Sequence, residues 1–249
     1  LQNVWIDSTL YLPSEKKEPV KKLHVVLLIL AILLVDQVFK FYIKTNYYLG
    51  EDHSVIGNWF RLHFVENEGM AWGWKLGESG SWGKVVLTLF RLVAVFFGVY
   101  YLNKIIREKF HKGFIICVAL IFAGAVGNLI DSMFYGLIFE ESNPFAQNVA
   151  NFLPEKGYAG FLHGKVVDML FFPIIDGTYP EWFPFWGGQS FLFFSPVFNI
   201  ADTSISTGLI AILIFQNKFF VHDKVVVESK SVSHEVADQP NDQSIRETN

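Results

Sequence analysis

The sequence predicts an all-α integral membrane protein of four transmembrane helices, with a small extramembrane β-sheet or cradle on the outer side and both termini cytoplasmic. Three observations predict it. The chain is 51% hydrophobic and 17% aromatic with a mean hydropathy of +0.32, more apolar than the surface of a soluble domain tolerates. Four apolar stretches each approach or exceed the roughly 20 residues of helix that cross a hydrocarbon core. Basic residues cluster in the short segments flanking those stretches, and such clusters, not the net charge of -4, set topology.

The predicted spans cover residues 23–43, 85–102, 114–133 and 191–215. Lys16, Lys17, Lys21 and Lys22 precede the first; Lys104, Arg107, Lys109 and Lys112 fill the link between the second and third; Lys218 follows the fourth. By the positive-inside rule these regions are cytoplasmic, and the long connections at about 45–83 and 135–190 face outward. The chain divides into a cytoplasmic segment 1–22, a membrane domain 23–217 and a polar, aromatic-poor tail 218–249 with the composition of disorder. Residues 1–12 are too short to span and read as a surface segment or a foreign remnant. The first span carries Asp36 and Lys40 and lacks a small-residue cleavage pattern, so it reads as retained and not as a secretory signal. The single cysteine, Cys117, excludes an intramolecular disulfide, a zinc cluster and a CxxC redox site.

In the first outer segment, residues 59–65 alternate as a short strand does. The second is rich in Pro, Gly and aromatics, and Trp182, Phe183, Phe185 and Trp186 cluster as at a membrane interface. It is expected to lie on the bilayer surface.

Ionisable residues in a spanning helix cost roughly 2.5 to 3.5 kcal/mol each on insertion scales, which makes them functional candidates. Asp36 and Lys40 stand one turn apart on the first helix, toward its outer end, where they can pair. Asn128 and Asp131 end the outward-running third helix. Asp202 and Asn199 lie on nearly one face of the inward-running fourth, with Asp202 expected about three turns in. Asp168 lies in 164–172, an apolar stretch that reads as a surface-dipping strand or half-helix. Its carboxylate can meet that of Asp202. Two close carboxylates cannot both ionise cheaply, so such a pair shares a proton near neutrality. One Asp can then activate water while the other protonates an amide oxygen.

Five blocks in order carry a resemblance. Asp36-Gln37-Val38-Phe39-Lys40, Asn67-Glu68-Gly69-Met70-Ala71-Trp72-Gly73, Gly124-Ala125-Val126-Gly127-Asn128-Leu129-Ile130-Asp131, Val166-Val167-Asp168 and Phe198-Asn199-Ile200-Ala201-Asp202 resemble the motifs of bacterial lipoprotein signal peptidases, the signal peptidase II family. The resemblance runs over residues 23 to 217. It implies an aspartyl endopeptidase of the bacterial inner membrane, open to the outer face, that removes signal peptides from prolipoproteins before a diacylglyceryl-bearing cysteine. Its partners would be those substrates, membrane lipid and globomycin-type inhibitors, with neither nucleic acid nor a metal or organic cofactor. It assigns the catalytic pair to Asp168 and Asp202, and a site-shaping role to Asp36, Lys40, Asn67, Gly69, Asn128, Asp131, Asn199 and Ala201.

The chain departs from the family in two places. Ser132 follows Asp131 where the family usually has Arg, and Arg91 on the second helix is the candidate replacement, contacting substrate backbone or Asp131. A long insertion separates Asp131 from Asp168, and a lid over the site is its functional reading. Among other classes, a serine enzyme lacks a nucleophile elbow and a zinc protease lacks an HExxH or multi-His set. A non-catalytic scaffold leaves the two aspartates unexplained. A proton- or cation-coupled transporter with Asp36, Asp131 and Asp202 as relay stays open as the alternative; it needs polar groups spread through the membrane, whereas the inner halves of the four helices read apolar.

Overall fold

A computed structural model of the chain describes residues 20–68, 81–173, 175–193 and 196–220. The elements follow in order as helix α1 (Lys22–Asn46), strands β1 (Asp52–Ile56) and β2 (Phe60–Asn67), helices α2 (Ser81–Arg107) and α3 (Lys112–Ile130), a π-helical turn (Asp131–Tyr135), a short α4 (Gly136–Ile138), strands β3 (Val166–Phe171), β4 (Ile175–Thr178), β5 (Ser190–Phe193) and β6 (Val197–Phe198), and helix α5 (Ile200–Phe219). Among the described residues, four helices are long and apolar enough to cross a membrane: Lys22–Asn46, Trp82–Arg107, Lys112–Ile138 and Ile200–Phe219. Their outward faces carry unpartnered rings, Phe90, Phe96 and Phe97 each being 69% exposed. Such surface calls for an apolar surrounding, as lipid provides.

The fourth helix begins nine residues later than the sequence predicts. In this stretch Ser190–Phe193 form β5 and Val197–Phe198 form β6, with Pro196 before the latter, and Asn199 caps α5. Asp202 therefore stands in the first turn of its helix and not three turns in. The first two spans each lengthen at both ends, where periodicity fades before the hydrogen bonding does; the third begins two residues earlier and leaves α-helical geometry at Asp131, where the π-helical turn continues it.

Helix α3 is the hub. Gly124 lets α5 approach so closely that a Cβ there would collide with the Ala201 carbonyl, and a Cβ on Gly208 would strike the Cys117 carbonyl. Small residues at such crossings let helix backbones pack where lipid supplies no hydrophobic drive between helices. At one end of the bundle Val25, Leu102, Ile105, Phe114, Ile115 and Ala119 form a core. At the other, Ile43 from α1, Tyr135 and Phe139 join Phe64, Val167 and Met169 from the sheet.

The sheet runs in the order β1-β2-β3-β6, antiparallel throughout. β3 is its central element and is buried along nearly its whole length, which suits the unbroken apolar run around Asp168. β4 and β5 form a separate hairpin between β3 and β6.

The insertion expected as a lid is packed as a wall. Fully buried Lys44 on α1 pairs with Glu66 on β2 and donates to Ser142 Oγ at 2.7 Å, beneath the Tyr158 ring at 5.0 Å. Bridges join Tyr48 to Val149 and Phe139 to Phe152. A Cβ on Gly164 would overlap the Asp131 carbonyl, so the end of the insertion lies directly on the π-helical turn.

Candidate active site

Strand register explains why two distant aspartates meet. β6 pairs with β3 through Leu170↔Phe198 and Phe171↔Val197. The next residue, Asn199, therefore arrives beside Asp168, and its Nδ2 donates to Asp168 Oδ1 at 2.7 Å. Asn199 is also the N-cap of α5: its Oδ1 accepts from the Asp202 backbone N–H at 2.8 Å, and Asp202 Oδ2 accepts in return from the Asn199 N–H at 3.5 Å. This capping box fixes the Asp202 carboxylate at the positive end of the α5 dipole. One residue, Asn199, thus holds both acids.

Two further amides complete the cradle. Asn67 sits on β2 diagonally across from Asp168, where cross-strand side chains reach one another, and its Nδ2 donates to Asp168 Oδ2 at 3.1 Å. Asn128 on the last turn of α3 donates from Nδ2 to Asp202 Oδ1 at 2.7 Å, while its Oδ1 accepts from Asn199 and from Lys40 Nζ. Asp168 is only 2% exposed. That burial, together with the nearby Asp202 charge, pushes its carboxyl up to about 7 against the opposing hydrogen bonds from Asn67 and Asn199.

Behind the amides lies a buried ionic layer. Lys40 Nζ reaches Asp36 Oδ2 at 2.9 Å and Asp131 Oδ2 at 2.8 Å, and all three groups are essentially excluded from solvent. Asp36 Oδ1 accepts from the backbone N–H of Ala201 at 2.8 Å, which ties α1 to the first turn of α5. Asp131 Oδ2 accepts from the Val167 N–H at 3.3 Å, next to Asp168. A Cβ on Gly127 would press on Asp36, so the glycine makes room for the carboxylate.

Nine of the eleven site residues singled out in the sequence belong to this connected set; Gly69 lies outside the described residues. Arg91 approaches from α2, its Nη1 donating to Ser132 Oγ at 2.8 Å while Ser132 Oγ donates to the Asn128 carbonyl.

The sequence reading passed over Gln37. Its Nε2 donates to Asp36 Oδ2, Asp131 Oδ1 and the Gly127 carbonyl, and its Oε1 accepts from Tyr135 Oη. Its position beside Asp36 in the first motif was the available signal. Among the described residues, no group of three or more His, Cys, Asp and Glu is arranged to hold a metal ion.

Comparisons with known proteins match most of the chain. The family model described as signal peptidase (SPase) II matches residues 28–218. The chain is 49% identical over 189 residues to the lipoprotein signal peptidase of Porphyromonas gingivalis (strain W83), covering 75% of this chain and 80% of that protein. It is 31% identical over 185 residues to the lipoprotein signal peptidase of Amoebophilus asiaticus (strain 5a2), covering 73% and 72%. A bacterial membrane enzyme structure determined by the in meso method at 2.3 Å resolution aligns with a TM-score of 0.52 at 24% identity, over 88% of this chain and all of that one. The last likeness bears on the fold.

Proposed function

The chain belongs to the signal peptidase II family and is a multi-pass membrane protease of lipoprotein processing, and from that premise we propose that Asp168 and Asp202 are its catalytic pair. The observation that carries the reading is Asn199, one side chain bonded to Asp168 and reciprocally capped with Asp202. Two acids held this way can share one proton. The charged carboxylate takes a proton from water as the water oxygen attacks the scissile carbonyl carbon; the protonated one gives its proton to the carbonyl oxygen. Collapse of the resulting diol breaks the C–N bond as the acid that took the water proton passes it to the amide nitrogen and the other acid takes back a proton from a diol hydroxyl, which restores the singly protonated pair.

The remaining residues have supporting roles. Asn67, at the end of β2, lies where the outer sheet can cradle the substrate peptide, and Gly69 is assigned to the same cradle by its motif alone. Asn128 and Asn199 position the acids, the Ala201 N–H holds the start of α5 on Asp36, and Asp36, Lys40 and Asp131 lock the helices that deliver them. The substrate is a prolipoprotein carrying a diacylglyceryl cysteine, presented at the outer face of the inner membrane, with both termini of the enzyme cytoplasmic. Globomycin-type inhibitors would occupy the same groove.

The purified enzyme should cleave a prolipoprotein peptide before its diacylglyceryl cysteine and leave the unlipidated peptide intact. Because Asp168 holds its proton up to about pH 7, kcat/KM should hold below that pH and fall toward tenfold per unit above it, as the pair becomes doubly charged. Equal cleavage of both peptides, or activity that rises steadily through pH 9, removes the reading.

Arg91 is proposed to supply a cation for the substrate backbone from α2. Arg91→Ala should lower kcat/KM roughly 10- to 100-fold, the range expected for losing a charged hydrogen-bond donor, with Arg91→Lys retaining part of the activity. Full cleavage by Arg91→Ala in detergent excludes the role.

A further inference from the structure

The β4–β5 hairpin grows from between the two segments that carry the aspartates, since β3 precedes it and β6 leads from it into α5. Its tip, residues 179–189, contains one charged residue, Glu181. Trp182 is 79% exposed, Phe185 92% and Trp186 52%. Tyr179 and Phe183 stack with centroids 5.1 Å apart, and Trp186 lies 6.2 Å from Phe183, which makes the tip a preformed aromatic block. Phe185 holds a left-handed φ of 73°, a conformation a bulky residue adopts at a cost, and its ring stands almost wholly free of the protein. A hairpin tip of this size facing water ordinarily carries polar turn residues, and an apolar tip calls for an apolar surrounding.

The base of the hairpin adjoins the start of a helix long and apolar enough to cross a membrane. Phe198 lies two residues before the membrane-crossing α5 begins, and Phe172, at the other root of the hairpin, packs on it at 5.7 Å and on Phe60 at 4.9 Å. Trp and Tyr concentrate at the headgroup level, where an apolar ring and a polar edge are both satisfied. Without a cation at the tip, attraction to anionic headgroups would contribute nothing, which leaves apolar insertion as the mode of contact.

We propose that the β4–β5 hairpin is a lipid-seated arm whose aromatic tip inserts into the headgroup–acyl boundary of the leaflet beside the site. The arm holds the roots of β3 and β6, and with them the segments bearing Asp168 and Asp202, at the level where a lipid-linked substrate lies.

The test uses the full chain in vesicles of phosphatidylethanolamine and phosphatidylglycerol. Cys117→Ala removes the buried native thiol, and an environment-sensitive fluorophore is attached at Phe185→Cys or, as a second site, Trp182→Cys. Insertion predicts blue-shifted emission at both sites, quenched by lipids spin-labelled near the top of the acyl chain and unchanged by salt or by omission of phosphatidylglycerol. Emission typical of water without lipid quenching overturns the proposal. So does a label shielded from lipid and cross-linkable to a second copy. The fluorescence does not depend on which residues perform catalysis, so its failure is distinct from failure of the catalytic assignment. In the same vesicles, Trp182→Ser with Phe185→Ser should raise KM for the diacylglyceryl peptide about tenfold with kcat retained; an unchanged KM rejects the link between the arm and substrate.

Discussion

Asp202→Asn and Asp168→Asn are each expected to lower kcat/KM for a diacylglyceryl prolipoprotein by about 10²- to 10⁴-fold, the range a positioned proton donor or acceptor contributes. Asparagine is the informative replacement at position 202. Its side-chain oxygen can still accept from the Asn199 N–H, which preserves the start of α5, whereas alanine would also open the capping box at a cost of about 1 kcal/mol. The double variant should be no worse than either single one, because two acids that act as a unit lose their function together. Circular dichroism and thermal melting should match the parent. A well-folded single variant retaining a tenth or more of the parent kcat/KM would falsify the pairing.

Lys40→Met is expected to be the most damaging substitution for the fold. It leaves Asp36 and Asp131 buried side by side without their shared cation and takes a hydrogen-bond donor away from Asn128 Oδ1. Breaking a buried ion pair by removing one member costs about 3–5 kcal/mol. The consequence should be a lower melting midpoint in detergent and a parallel loss of cleavage. Adding Asp36→Asn and Asp131→Asn to Lys40→Met removes the stranded charges and should recover much of the stability. If Lys40→Met alone melts with the parent, the three groups do not lock α1 to α3.

Most of the helical frame was legible in the sequence because long apolar runs bounded by basic residues report where they end, as with Lys104 and Arg107 at the end of α2. The contributors to the site were legible for a related reason: a charge in hydrocarbon is costly, so Asp36, Lys40, Asp131 and Asp202 stand out against their surroundings. The start of α5 was not. Residues 191–198 are as apolar as a helix and nearly continuous with it, and periodicity cannot separate buried strand from buried helix over so short a run. The cue lay in Asn199 and Asp202, three residues apart, which form a capping box only when the chain before them is extended. The anchoring of the insertion was also hidden, because Lys44 reads as an ordinary basic residue at a helix end until Glu66, Ser142 and Tyr158 are brought around it by long-range folding.

The network around the acids has a direction. Every side-chain hydrogen bond described to Asp168 and Asp202 comes from an amide group of Asn67, Asn128 or Asn199, and amides donate without passing protons onward. Asn128 cannot reverse, because turning it would set its NH₂ against the Lys40 ammonium. The acids are thus insulated from the ionic layer behind them, and from there toward the start of α3 the residues from Ala123 back to Phe114 are apolar. Carboxylates can exchange protons at one surface of such a bundle without opening a leak that would discharge the membrane.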